Sequence, residues 1–200
     1  MGITLVMRTL RWLLGAAAMG ALGLLAIVAG LYLYVQASFN LHAVEGGKVY
    51  RSGQMPAQEL ERFVKEAGIR SVINLRGENI GQGWYEQESR STRLLGVSLI
   101  NYPISARAEL SVEQMRKISA LIHDAEKPVL IHCGGGADRT GLACAVYCVD
   151  AGLPAHEALA QLSPYYGHFP YLLWTDAAAM DVSLDRYLKL ARVPVAGEVR

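Results

Sequence analysis

Residues 128–147 read PVLIHCGGGADRTGLACAVY. Five residues, PVLIH (128–132), form a continuous apolar run of the kind expected of a strand buried on both faces. Cys133 stands at its carboxyl end, followed by Gly134, Gly135, Gly136, Ala137, Asp138 and Arg139. A helix is expected from Thr140 to Ala151. Strand, glycine-rich loop and helix in immediate succession place Cys133 where open α/β sheets bind their ligands, at the carboxyl end of a strand.

Working outward, strands and helices alternate. KVYRSG (48–53) reads as a short strand, and Pro56 opens a helix that Gly68 stops after Ala67. SVINLR (71–76) is a second buried strand, residues 84–95 a helix, and VSLINYPI (97–104) a third strand. Ser111 and Gln114 have capping-box spacing for a helix to about Ala125. Pro154 opens a further helix, and Leu172–Arg192 is expected to form the last. Strands separated by helices imply an α/β fold with a mainly parallel central sheet flanked by helices.

The 19 Lys and Arg residues nearly balance 18 Asp and Glu. With Arg8 and Arg11 set aside, residues 37–200 carry 17 basic and 18 acidic groups, a net of −1. That balance speaks against nucleic acid as a partner, which needs a concentrated basic face. Three cysteines cannot make a disulfide framework. The hydrophobic excess is local: WLLGAAAMGALGLLAIVAGLYLYV (12–35) runs uncharged for 24 residues. As a helix it spans about 36 Å, enough to cross a hydrocarbon core of about 30 Å. It exceeds the usual signal-peptide core of about 7–15 residues. The expected organisation is a flank (1–11), a single transmembrane helix (12–36), a linker (37–47), one domain (48–192) and a tail (193–200). Arg8 and Arg11 favour a cytoplasmic N-terminus and a domain on the non-cytoplasmic side.

The loop has the makings of an anion site. Glycines 134–136 let the backbone curl with its N–H groups inward, and the following helix adds its N-terminal dipole. Arg139 supplies a fork able to hold two phosphate oxygens. The same positive field favours the thiolate of Cys133, a nucleophile aimed at phosphorus. His132 is placed to tune Cys133, and Thr140 to hydrogen-bond its sulfur. Nothing in this chemistry calls for a metal or another cofactor.

The string His132-Cys133-x-x-Gly136-x-x-Arg139-Thr140-Gly141 resembles the signature of cysteine-dependent protein tyrosine phosphatases, the dual-specificity branch in particular. Six specified positions at about 1 in 20 each give a chance match roughly once in 10⁵–10⁶ chains of this length. KVYRSGQMP and SVINLRGE look like the first strands of atypical dual-specificity phosphatases of bacteria, fungi and plants. The resemblance covers residues 45–170 and implies a tyrosine phosphatase-like fold. It also implies metal-free hydrolysis of a phosphate monoester through a phosphocysteine, with Cys133 and Arg139 catalytic and residues 134–139 binding phosphate. The substrate is expected to be a phosphorylated protein or a membrane lipid phosphate.

The resemblance also implies a general-acid aspartate about 30 residues before the cysteine, yet INYPISARAEL (100–110) has none. Asp138 is the expected acid, because DRT within the loop resembles myotubularin and Sac-type phosphatases; Glu109 is the alternative. Cys144 and Cys148 read as core thiols, and His123, His156 and His168 as surface or structural residues. Arg51, Arg76 and Arg107 fall at strand ends or in loops on the expected active face, where solvation is the default for each. Tyr165, Tyr166, His168 and Phe169 are compatible with a wall of the site or with packing alone.

Overall fold

Successive residues of the predicted strand at 128–132 point to opposite faces of a sheet, and both faces are covered. In the computed structural model, which describes residues 2–171 and 176–191, this strand is β5 (Val129–His132), fully buried. Val129 and Ile131 enter one core with Ile73, Met115, Ile118 and Leu142. Leu130 enters the other with Leu60, Val64 and Val72. Period two with two apolar faces is what a continuous apolar strand requires.

The other strands are β1 (His42–Glu45), β2 (Val49–Ser52), β3 (Ser71–Asn74) and β4 (Ser98–Asn101), in spatial order β1-β2-β5-β3-β4. β2, β5, β3 and β4 are parallel, and β1 pairs antiparallel with β2 across a register shift. The crossovers are α2 (Ala57–Ala67), α3 (Gly83–Leu94) and α4 (Val112–Asp124), and α5 (Asp138–Asp150) follows β5. α6 (Ala155–Ala160), a 3₁₀ turn (Pro164–Tyr166) and α7 (Ala178–Ala191) complete the domain. The α/β fold with a mainly parallel sheet flanked by helices is as expected. The Ser111 hydroxyl accepts from the Gln114 amide and the Gln114 side chain accepts from the Ser111 amide, so both halves of the capping box form at α4. α5 is buried from Thr140 to Cys148 and forms the centre of the larger core. Its Gly141 lets the chain after α6 pass: an added Cβ would stand 2.7 Å from both Gln161 O and Leu162 Cδ2.

Three expectations need correction. α5 begins at Asp138, two residues earlier than the expected Thr140, so the loop's last residues are already helical. The stretch 37–47 is not a linker, since it contains β1. The chain divides into units Met1–Ser38 and Phe39–Arg200, which puts the domain start at 39 and not 48. The last helix is described from Ala178; residues 172–175, Arg192 and the tail 193–200 lie outside the described residues.

The first unit is α1 (Gly2–Ala37), and its stretch Arg11–Tyr34 is long and apolar enough to cross a membrane. Trp12, Leu13, Met19, Ile27 and Leu33 are all exposed.

Because β1 is built into the sheet, a chain beginning at Lys48 is expected to melt below one beginning at Phe39. The expected drop is about 5–10 °C, at about 2–4 °C per kcal/mol for a domain of this size. Equal midpoints by scanning fluorimetry would return 39–47 to the status of a linker.

Candidate active site

A loop that offers N–H groups to an anion must give its carbonyls other partners. Here each of three successive carbonyls has one. The backbone N–H of Gln54 donates to Gly134 O (2.8 Å), Asn40 Nδ2 to Gly135 O (3.0 Å) and Arg51 Nη2 to Gly136 O (2.6 Å). With the carbonyls tied outward, the peptide N–H groups turn to the concave side, where the N-terminus of α5 also ends. Gly136 is indispensable to this path. It has φ +72°, and a Cβ there would stand 2.5 Å from Gly53 N and 2.6 Å from Ser52 C. Gly134 and Gly135 are exposed and face no such crowding.

Cys133 is buried at the loop's start, and Arg139 Nη2 lies 3.6 Å from where a Cβ on Gly134 would be. Among the described residues Arg139 Nη1 makes only long contacts, 3.4 Å to Leu75 O and 3.5 Å to Ile104 O, which leave donors for a ligand. Ala137 and Asp138 complete the ring. Thr140 is fully buried, and its hydroxyl has no hydrogen-bond partner among the described residues; the expected bond to the Cys133 sulfur is not made.

His132 lies behind Cys133, Nδ1 3.4 Å from Cys133 O and Nε2 2.9 Å from Glu88 Oε1, the latter a close polar contact without hydrogen-bond alignment. Glu88, buried on α3, accepts from Gln54 Nε2 (3.2 Å), and Gln54 Oε1 accepts from Arg76 Nη1 (3.1 Å). The Arg76 guanidinium lies over Trp84 at 3.5 Å. Partial burial and the nearby Arg139 lower the Arg76 pKa, so two guanidinium groups share the mouth of the site.

Arg51 departs most from its sequence reading. It is wholly buried, not solvated, and binds Gln161 O (2.9 Å) and Gln161 Oε1 (2.7 Å) besides Gly136, with Tyr166 under its guanidinium at 3.8 Å. Burial lowers its pKa, as the cost of holding a cation beneath the loop. Tyr166 O also accepts from Asn40 Nδ2 (2.8 Å), so the PYYGHFP segment braces the loop from below. His168, expected as surface or structural, is 1% exposed and touches Asp138 Oδ1 (2.7 Å) and Asp181 Oδ2 (2.9 Å). Burial pulls its pKa down, but the two carboxylates outweigh this and hold it above the usual imidazole value. Glu109 is half-exposed and pairs with Arg186 on α7. Arg107 donates its backbone N–H to Ser105 Oγ (3.1 Å) in an exposed loop. Cys144 and Cys148 are core thiols, pushed by burial to about 11 and about 12. Asn40, Glu88, Gln161 and Asp181 escaped the sequence reading because nothing local marks them.

Residues 49–172 match the family described as "Swiss Army Knife protein, DSP-PTPase phosphatase domain". The chain belongs to this family. A curated relative from Oryza sativa subsp. japonica, inositol diphosphatase DSP2, is 33% identical over 115 residues, 55% of this chain and 52% of the relative. The chain thus spans about half the length of that relative. Among solved structures, TpbA of P. aeruginosa superposes with a TM-score of 0.59 at 22% identity, over 78% of this chain and 92% of that one. The core catalytic domain of the PP-IP phosphatase SIW14 from S. cerevisiae gives 0.54 at 20%, over 76% and 93%. At these identities the two structures speak for the fold alone.

The loop geometry makes Gly136→Ala the sharpest structural test. The substitution should weaken binding of inorganic phosphate at least about tenfold, or about 1.4 kcal/mol, while circular dichroism stays native. Calorimetric titration checks this, and unchanged affinity would show that the loop tolerates another path.

Proposed function

We propose that this protein is a membrane-anchored, cysteine-dependent phosphatase that hydrolyses phosphate monoesters through a phosphocysteine. The observation that carries the reading is the loop of residues 133–139, with three of its carbonyls tied outward, Cys133 at its start and Arg139 at its end. The N–H groups of residues 134–139 and the Arg139 fork hold the phosphoryl oxygens. The Cys133 thiolate attacks phosphorus, the P–O bond to the leaving group breaks, and Asp138 gives that oxygen its proton. Water then attacks the phosphocysteine, returns a proton to Asp138 and frees the thiolate. The buried Arg51 and the half-buried Arg76 add positive potential around the sulfur. The Thr140 hydroxyl, unpartnered in the resting site, is placed to serve the sulfur as it leaves.

Phosphotyrosine, phosphoserine or phosphothreonine, and lipid phosphates are the candidate substrates. A Cys→Ser form of TpbA has been solved in complex with phosphotyrosine, and the rice relative is named an inositol diphosphatase. The loop GGGAD carries no lysine, which disfavours polyphosphoinositides, while Arg76 offers a second anionic subsite. The apolar stretch within α1 serves as the anchor, with Arg8 and Arg11 on the cytoplasmic side.

In the full chain, Cys133→Ser should abolish turnover of a phosphopeptide and lipid-phosphate panel while phosphate binding persists, and Arg139→Lys should fail as well. Near-normal turnover by Cys133→Ser would end the covalent reading. Asp138→Asn should cost about 10²–10⁴-fold on an alkyl phosphate and far less on an activated aryl phosphate. Equal losses on both would make Asp138 a structural residue; an alkyl-selective loss in Glu109→Gln alone would move the role there.

For topology, a reporter active only outside the cytoplasm should work when fused after Arg200. Activity only from a cytoplasmic reporter would invert the orientation.

A further inference from the structure

His168 is buried to 1% in a loop that the mechanism above does not use. Both of its ring nitrogens meet carboxylates: Nδ1 lies 2.7 Å from Asp138 Oδ1 at the start of α5, and Nε2 lies 2.9 Å from Asp181 Oδ2 on α7. Both carboxylates are about a third exposed, at 34% and 36%. The backbone of this loop is held as well. His168 N–H donates to Ser163 O (3.1 Å), and a Cβ on the preceding Gly167 would stand 3.9 Å from the Cβ of Ala137, the residue before Asp138. The line Asp181–His168–Asp138 therefore runs from the side of the domain to the phosphate loop and ends one residue from Arg139.

We propose that His168 and Asp181 are positioning residues for acid catalysis by Asp138. In this arrangement Nδ1–H of His168 holds Asp138 Oδ1, so that Oδ2 is the oxygen presented to the ester. Asp181 accepts from Nε2–H, which fixes the ring and offsets its charge. That offset matters. An unbalanced imidazolium at 2.7 Å would hold Asp138 as a carboxylate and deny it the proton it must deliver. With Asp181 ionised, the His168–Asp181 pair is close to neutral, and orientation comes without that penalty.

The protons balance. Oδ2–H passes to the leaving oxygen as the S–P bond forms and the P–O bond breaks. In the second step the proton lost by the attacking water returns to Asp138 as the S–P bond breaks. The imidazole keeps its protons throughout and acts only through Asp138. The competing account is a clamp that docks α7 onto α5. Such a clamp predicts equal harm to all substrates, whereas a positioning role predicts harm graded by how much the leaving group needs a proton.

The proposal rests on Asp138 being the acid, and the test separates the two. Full-length protein in detergent is assayed on an alkyl phosphate and an activated aryl phosphate, with inhibition by inorganic phosphate as the measure of an intact loop. His168→Leu should lose at least about 10²-fold in kcat on the alkyl ester, the low end for removing an acid, with the aryl rate and phosphate inhibition within about threefold of wild type. His168→Asn, whose amide N–H can occupy the Nδ1 position, should recover most of the alkyl rate. Asp181→Asn should show the same alkyl-selective loss in milder form, and it carries the test alone if His168→Leu does not fold. If Asp138→Asn is alkyl-selective but the His168 and Asp181 variants hurt both esters equally, or neither, the positioning role is wrong and the acid assignment stands. If Asp138→Asn itself hurts both esters equally, the acid assignment falls and the positioning role falls with it.

Discussion

The outward tethering of three loop carbonyls is the constraint on which the site depends. A peptide unit cannot aim its N–H at an anion without aiming its C=O the other way, and a buried carbonyl needs a donor. The donors come from one end of the sheet: Asn40 before β1, Arg51 within β2 and Gln54 just after it. This explains why β2 lies beside β5 and why Ser52 and Gly53 touch Gly136. It also explains why the first residues of the domain are tied to the sheet. Phe39 and Asn40 both have φ near +50°, and Phe39 O accepts from Gly53 N at 2.7 Å. This path places Asn40 at the loop, where its Nδ2 donates to Gly135 O.

The electrostatics follow from the same arrangement. The domain keeps a guanidinium wholly buried under the loop, a costly placement that hydrogen bonds from Arg51 to Gly136 and Gln161 make tolerable. Cys133, at the end of β5, lies next to that cation and to the N-terminus of α5. Cys144 and Cys148, deeper in the same helix, lie in apolar packing that pushes their thiols upward. Their surroundings alone make these two cysteines core thiols.

Much of this was legible from local sequence. The buried run at 128–132, the glycines and the helix start are consecutive in the chain, so their spacing reports their geometry directly. Cys133, Gly136, Asp138 and Arg139 are legible as members of one loop that way. The residues that escaped act across the chain: Asn40 reaches 95 residues to Gly135, Arg51 reaches 110 to Gln161 and His168 reaches 30 to Asp138. An arginine in a four-residue strand gives no local hint that its side chain is buried. β1 was missed because HAVE is short, has little apolar alternation, and owes its strand character to pairing with β2.

The acid chemistry converges on α7. Met180, Leu184, Tyr187 and Leu188 seat this helix in the core beside α5, and its other side chains reach toward both acid candidates. Asp181 meets His168, Arg186 pairs with Glu109 and binds Leu110 O at 3.2 Å, and Ser183 Oγ accepts from Leu110 N at 2.9 Å. One helix therefore fixes both the partner of Asp138 and the loop that carries Glu109. The match to the family stops at residue 172, before α7 begins at Ala178. Cys133 and residues 134–139 lie inside the matched span, whereas Asp181 and Arg186, which meet His168 and Glu109, lie on a helix beyond it.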